Sequence, residues 1–164
     1  MRELEVVGVR LDVSNAPILV LREQGGRRCL PIWIGANEAA AIVNALEGVV
    51  PPRPMTHDLL VTVLRTLGVT QTLGRIDSMD EGTYTASMQL GEHWIQVRPS
   101  DLAAIAVRTG MRLECSEELV DEIGVVLDED GGDDEMEKFR EFLDSVTPED
   151  FEGGEPGAEG STSP

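Results

Sequence analysis

Residues 30–60 read LPIWIGANEAAAIVNALEGVVPPRPMTHDLL, and the punctuation of this stretch decides the fold. An apolar, strand-like run from Leu30 to Ile34 is broken by Gly35. Ala39, Ile42, Val43 and Leu46 then recur at spacings of three and four, which predicts a helix over about 37–47. Gly48 and the pair Pro51-Pro52 stop it. A stiff loop from Pro51 to Pro54 carries Arg53. Thr56 offers an oxygen to cap a second helix, about 57–67, and Asp58 falls in its first turn, where the helix dipole favours a negative charge. The spacing puts Leu60, Val63, Leu64 and Leu67 on one face of this helix. Glu38, Arg53, His57 and Asp58 thus fall at helix starts or on a rigid loop, where a fold can hold polar groups in fixed positions.

Upstream, strands are predicted at about 4–13, 18–21 and 28–34. The turns Asn15-Ala16-Pro17 and Gln24-Gly25-Gly26 separate them, so the opening is an antiparallel meander. Downstream, strands at about 70–78, 82–90 and 93–97 are divided by Asp80-Glu81-Gly82 and Gly91-Glu92. Arg98-Pro99-Ser100-Asp101 opens a third helix, about 100–109, which Gly110 closes. A strand at 112–115 and a short helix capped by Ser116 and ending near Gly124 complete the pattern. Strands, then helices, then strands predict an α+β domain over residues 1–126, with a mostly antiparallel sheet and packed helices.

The chain has 164 residues, 41% of them apolar, enough for one core although aromatics make up only 4%. Its net charge of −18 is unevenly spread. Residues 1–126 hold 11 Arg and no Lys against 17 acidic residues, a net of −6, and residues 127–164 hold the remaining −12. We therefore expect an acidic linker at 127–134. Residues 135–145 are expected to form an amphipathic helix with Met136, Phe139 and Leu143 on one face, suited to a protein partner. The tail, 146–164, is expected to be disordered. No signal-like N-terminus and no run of 18 apolar residues is present, so the expectation is a cytoplasmic chain with no membrane segment. Cys29 and Cys115 lack metal-ligand spacing and are read as free thiols in strands. The acidity of the domain opposes polyanion binding; any nucleic acid would have to be held by a local arginine cleft.

Two helix starts share one chemistry. Arg53-Pro54-Met55-Thr56-His57-Asp58 and Arg98-Pro99-Ser100-Asp101 each run from Arg-Pro through a hydroxyl residue to an Asp. Proline pre-sets the backbone, the hydroxyl caps, and the Asp complements the dipole. Local helix physics leaves only the two arginines unexplained. They either pair with an Asp of the other loop or face a shared cleft and bind phosphate. His57 is a candidate general base, or a hydrogen-bonded structural residue. Trp33 and Trp94 read as core rather than as base-stacking platforms. No zinc-protease, Walker, paired CxxC or dinucleotide-binding pattern occurs.

Taken in order, LPIWIG, EAAAI, PPRPMTHDLL, TYTASM and RPSDLAAIAVRTG resemble the bifunctional nuclease domain family over roughly residues 3–125. EKFREFLDSVTPEDF is similar to the tail of its actinobacterial branch. The resemblance implies an α+β fold, homodimers or larger homo-oligomers, and nuclease activity on RNA and DNA. The polar positions it carries over are Glu38, Arg53, His57, Asp58, Arg98, Ser100 and Asp101. In that reading Arg53, Arg98 and Ser100 bind substrate, and His57, Asp58 and Asp101 are catalytic. Glu38, Asp58 and Asp101 would hold Mg2+ or Mn2+. One position departs: Gln96 stands where the family usually has an acidic residue, two before the Arg of Arg-Pro-Ser-Asp. The rival expectation is a non-catalytic regulatory or protein-binding module that uses the same Arg/Asp groups for ion pairing or small anions.

Overall fold

The computed structural model describes residues 1–127. The predicted amphipathic segment and tail, and all of the linker but Leu127, lie outside the described residues. The domain is α+β. Its strands are β1 (Arg2–Leu11), β2 (Pro17–Glu23), β3 (Arg28–Trp33), β4 (Thr72–Asp80), β5 (Thr83–Leu90), β6 (His93–Val97), β7 (Arg112–Cys115) and β8 (Val125–Val126). Its helices are α1 (Ala36–Leu46), α2 (Thr56–Thr66), α3 (Pro99–Thr109) and α4 (Glu117–Ile123). All strands join one sheet in the order β6-β5-β4-β7-β1-β2-β3-β8. The two predicted meanders form its halves, and β7 joins them, antiparallel to β1 and parallel to β4. The short β8 was not expected; it pairs with Arg28 and Cys29.

The core gathers Leu19, Leu21 and Leu30 of the first meander, Ile76 and Met88 of the second, Ile42 and Val43 of α1, and Leu102 and Ile105 of α3. Helix α3 is buried over Leu102–Ala106, and its small Ala103 and Ala104 let it pack closely against its neighbours. Gly74 makes room for it on the sheet. A Cβ there would lie 2.6 Å from Leu113 and 3.0 Å from Leu102. Gly110 ends α3 as predicted, and does so in the left-handed region with φ of 72°. These contacts fix α3, and with it Arg98, Asp101 and Arg108.

Several expectations are corrected. Residue Met55, not Thr56, holds the N-cap position of α2, and the Asp58 carboxylate accepts the Met55 N–H at 2.9 Å. Arg98 holds the N-cap position of α3, and the Ser100 hydroxyl caps nothing. Ser116 does cap α4, accepting from the Leu119 N–H at 3.1 Å. Helix α2 buries Val61 and Leu64, while Leu60, Val63 and Leu67 are exposed, because it leans on α3 along a narrow stripe. Neither tryptophan is core: Trp33 is 59% and Trp94 43% exposed. Trp33 closes β3 at its solvent end, and Trp94 lies on the edge strand β6 with the Arg75 guanidinium 4.6 Å from its ring. The thiols of Cys29 and Cys115 are free and in strands, as expected, and both are buried. No described helix is long and apolar enough to cross a membrane.

Candidate active site

The starts of α2 and α3 meet beside the start of α1, around a cleft of about 470 Å3. Asp101, in the first turn of α3, is its centre. Its Oδ1 lies 3.0 Å from His57 Nε2 of α2. Both its oxygens also accept from Arg98, from Nε at 2.8 Å and from a terminal nitrogen at 3.0 Å. The other terminal nitrogen of Arg98 donates to Glu38 Oε1 of α1 at 2.8 Å. Four residues from three helices thus form one chain, Glu38–Arg98–Asp101–His57.

The donors and acceptors constrain this chain chemically. An ionised carboxylate only accepts, so a neutral His57 carries its proton on Nε2 and leaves the Nδ1 lone pair open. Among the described residues Nδ1 has no partner. Arg98 has five N–H donors, of which three are used, so two remain for a ligand. Its side chain is 63% exposed, so those donors can be reached from solvent. Burial pushes the Asp101 carboxyl up, but the bonds from Arg98 and His57 outweigh it and hold the group below the usual carboxylate range. The Asp101 and Glu38 bonds hold the Arg98 guanidinium firmly protonated.

Asp58 is built differently. Its Oδ1 accepts from Arg108 Nε at 2.8 Å and its other oxygen caps α2, and these two bonds depress its pKa. Arg108 comes from the last turn of α3 and is only 12% exposed. It also donates to the Ala104 carbonyl at 2.8 Å and to the Ala41 carbonyl of α1 at 3.1 Å, so one guanidinium ties α1, α2 and α3 together.

The family model for the Bifunctional nuclease domain matches residues 19–128. The chain belongs to this family. It is also 42% identical over 161 residues to an uncharacterized protein of Mycobacterium tuberculosis, the match covering 92% of this chain and 98% of that protein. The same figures hold for the strains CDC 1551/Oshkosh and ATCC 25618/H37Rv.

Within this bifunctional nuclease domain, His57, Asp58, Arg98, Asp101 and Glu38 all line the cleft. Arg53 does not: it is exposed on the Pro51–Pro54 loop, with no hydrogen-bond or ion-pair partner among the described residues. Of the two alternatives for the arginines, pairing with an Asp of the other loop does not occur, since Arg98 grips the Asp of its own loop. Ser100 lines the neighbouring cavity, and Gln96 lines a third beside Arg98. Arg108 escaped the sequence reading. Its signal was its place seven residues after Asp101, two turns along the same helix face.

The described residues include no group of three His, Cys, Asp or Glu able to hold a metal. The three acidic residues suggested for Mg2+ or Mn2+ are each taken up by arginine, Glu38 and Asp101 by Arg98 and Asp58 by Arg108. As arranged, this donor set does not fit a resident divalent cation.

The depressed carboxyls give the fold an acid limb. A group whose folded pKa lies below its unfolded value stabilises fully above the unfolded value, about 4 for Asp. That contribution is lost as pH falls through the folded value. Thermal unfolding should therefore show a steady decline in Tm below about pH 4, and Asp101→Asn should flatten part of it. An unchanged acid limb in the variant would mean that Asp101 adds nothing there.

Proposed function

We propose that the domain hydrolyses phosphodiester bonds of RNA, DNA or both at this cleft. The observation that carries the reading is the shared grip on Asp101. It leaves His57 with an oriented Nδ1 that has no partner among the described residues and Arg98 with two unused N–H groups, and both residues line one cleft. Arg98 would hold a non-bridging phosphate pair of oxygens. His57 would take the proton of the attacking water as its oxygen bonds to phosphorus. The bond to the leaving oxygen then breaks, and that oxygen is protonated from solvent. Ser100 belongs to substrate binding in this reading, and Arg53 at most to the approach of the strand. Mg2+ or Mn2+ enters only as a variable of the test. Purified protein would be assayed on RNA and DNA with EDTA, with Mg2+ and with Mn2+, and no cleavage under any condition would end the proposal.

One observation favours the rival, a non-catalytic anion-binding module. The cleft's ionised groups are taken up by one another, two arginines pairing with three carboxylates and leaving a net charge of −1. Such a module would bind small phosphates through Arg98 without cleaving nucleic acid.

With Arg108 engaged and Arg53 outside, few phosphates can be neutralised at once. The slope of log K against log salt should be shallow, on the order of −1 for one phosphate. Residues 127–164 carry −12 and should repel polyanions. A chain ending at Val126 should bind oligonucleotide more tightly at low salt, with the gap closing as the Debye length shortens. Equal affinities at low salt would remove the tail from this account.

Homo-oligomer formation belongs to the same proposal, with β6 as the contact. This edge strand, HWIQV, has neither proline nor any Lys, Arg, Asp or Glu to blunt pairing, and it exposes Trp94 and Ile95. Ile95→Lys should lower the mass seen by sedimentation to that of a monomer. A mass identical to wild type would move the contact elsewhere.

A further inference from the structure

On the other side of Arg98 lies a second cavity of about 280 Å3, small for a ligand pocket. Trp33, Gly35, Tyr84, Arg98 and Ser100 help line it. Trp33 is exposed yet held. Its Nε1–H donates to Asp12 Oδ2 at 2.9 Å. Asp12 is itself fixed by bonds from the Ser14 hydroxyl, the Ser14 N–H and the Ala16 N–H. An indole anchored at its edge and open over most of its surface is a ready platform for stacking.

Ser100 is the second observation. The residue is only 5% exposed, and its hydroxyl has no hydrogen-bond partner among the described residues. Buried hydroxyls are normally paired, because leaving one unpaired is unfavourable. Tyr84 is half-buried, and its hydroxyl likewise has no hydrogen-bond partner among the described residues. The lining of the cavity therefore combines an ordered aromatic residue, two residues whose hydroxyls have no partner among the described residues, and Arg98 of the neighbouring cleft.

We propose that this cavity is a nucleobase subsite. The base of the nucleotide whose phosphate Arg98 holds would stack on Trp33 and hydrogen-bond to the hydroxyls of Ser100 and Tyr84. The proposal rests on the nucleic-acid reading of the neighbouring cleft. A flat ring and two hydroxyls that both donate and accept suit any base, so binding should be tolerant of sequence. One base stacked on one aromatic side chain is worth roughly ten-fold in affinity.

The test uses the full chain with AMP, UMP, ribose 5-phosphate and inorganic phosphate. In a Trp94→Phe background Trp33 is the one remaining tryptophan of the chain. Both mononucleotides should quench its fluorescence and bind about ten-fold more tightly than ribose 5-phosphate. By calorimetry, Trp33→Ala should abolish that advantage and Trp33→Phe should keep most of it. Ser100→Ala should weaken mononucleotides severalfold and leave ribose 5-phosphate unchanged. Equal affinity for mononucleotide and ribose 5-phosphate, or an unchanged ratio in Trp33→Ala, would overturn the subsite. Base-dependent binding without cleavage of RNA or DNA would sink the nuclease reading and leave the subsite standing. Cleavage without base-dependent binding would sink the subsite alone.

Discussion

His57→Ala should lower kcat for nucleic-acid cleavage by about 100-fold or more while changing KM little, because a positioned general base contributes on the order of 10²–10⁴. The fold should survive the change. Asp101 keeps both bonds from Arg98, and His57 anchors no helix end. Asp101→Asn is the sharper comparison. The Asn amide can donate to Nε2 where the carboxylate can only accept, which turns the imidazole to the tautomer with its proton on Nδ1. The base is then lost although the ring stays in place. Asn also weakens the hold on Arg98, so KM should rise in this variant and not in His57→Ala. Arg98→Lys should raise KM as well, since a point charge cannot span Asp101, Glu38 and a phosphate together. Wild-type cleavage by His57→Ala would exclude the dyad from the chemistry, whatever the other two variants did.

The sequence carried the parts of this site that depend on local physics. Gly35, the prolines at 51–54 and Gly110 mark where helices start and stop whatever surrounds them, so the helices and the acidic first turns of α2 and α3 were legible. The sheet order was not. Nothing local says that β7 enters between β1 and β4, or that two residues after Gly124 add an eighth strand. Partner choice in the site failed for the same reason. Arg53 and Arg98 look alike in sequence, but Arg98 follows an edge strand onto α3 at the meeting of three helices, while Arg53 sits on a loop projecting into solvent. Trp33 and Trp94 misled because a large aromatic is an average predictor of burial, and both stand where the sheet ends. Thr56 and Ser100 looked like caps because hydroxyls usually are. Here Asp58 satisfies the start of α2, and Ser100, which lines the second cavity, caps nothing.

The largest effect on stability should come from Arg108, whose guanidinium bonds to groups on α1, α2 and α3. Arg108→Met keeps much of the apolar stem and removes the guanidinium. Three contacts go with it, to Asp58, the Ala41 carbonyl and the Ala104 carbonyl. Both carbonyls lie within helices and keep their helical partners, so the loss is mainly that of a charge-assisted bond between α2 and α3 and of the tie to α1. We expect a cost of about 2 kcal/mol, less than for a fully buried pair because Asp58 retains the Met55 N–H and some contact with water. That is a fall in Tm of about 6–10 °C for a domain of this size. Arg108→Lys should recover less than half of it, since one ammonium cannot reach acceptors on three helices. The pH dependence separates the ion pair from mere packing. Arg108 depresses the Asp58 pKa, so its share of stability is complete above about pH 4 and lost as pH falls through the folded value. The Tm difference between wild type and Arg108→Met should therefore narrow in acid. A difference that stays constant from pH 7 to pH 2 would assign the effect to packing, and a Tm within 2 °C of wild type at pH 7 would mean that α1, α2 and α3 hold the cleft together without this clamp.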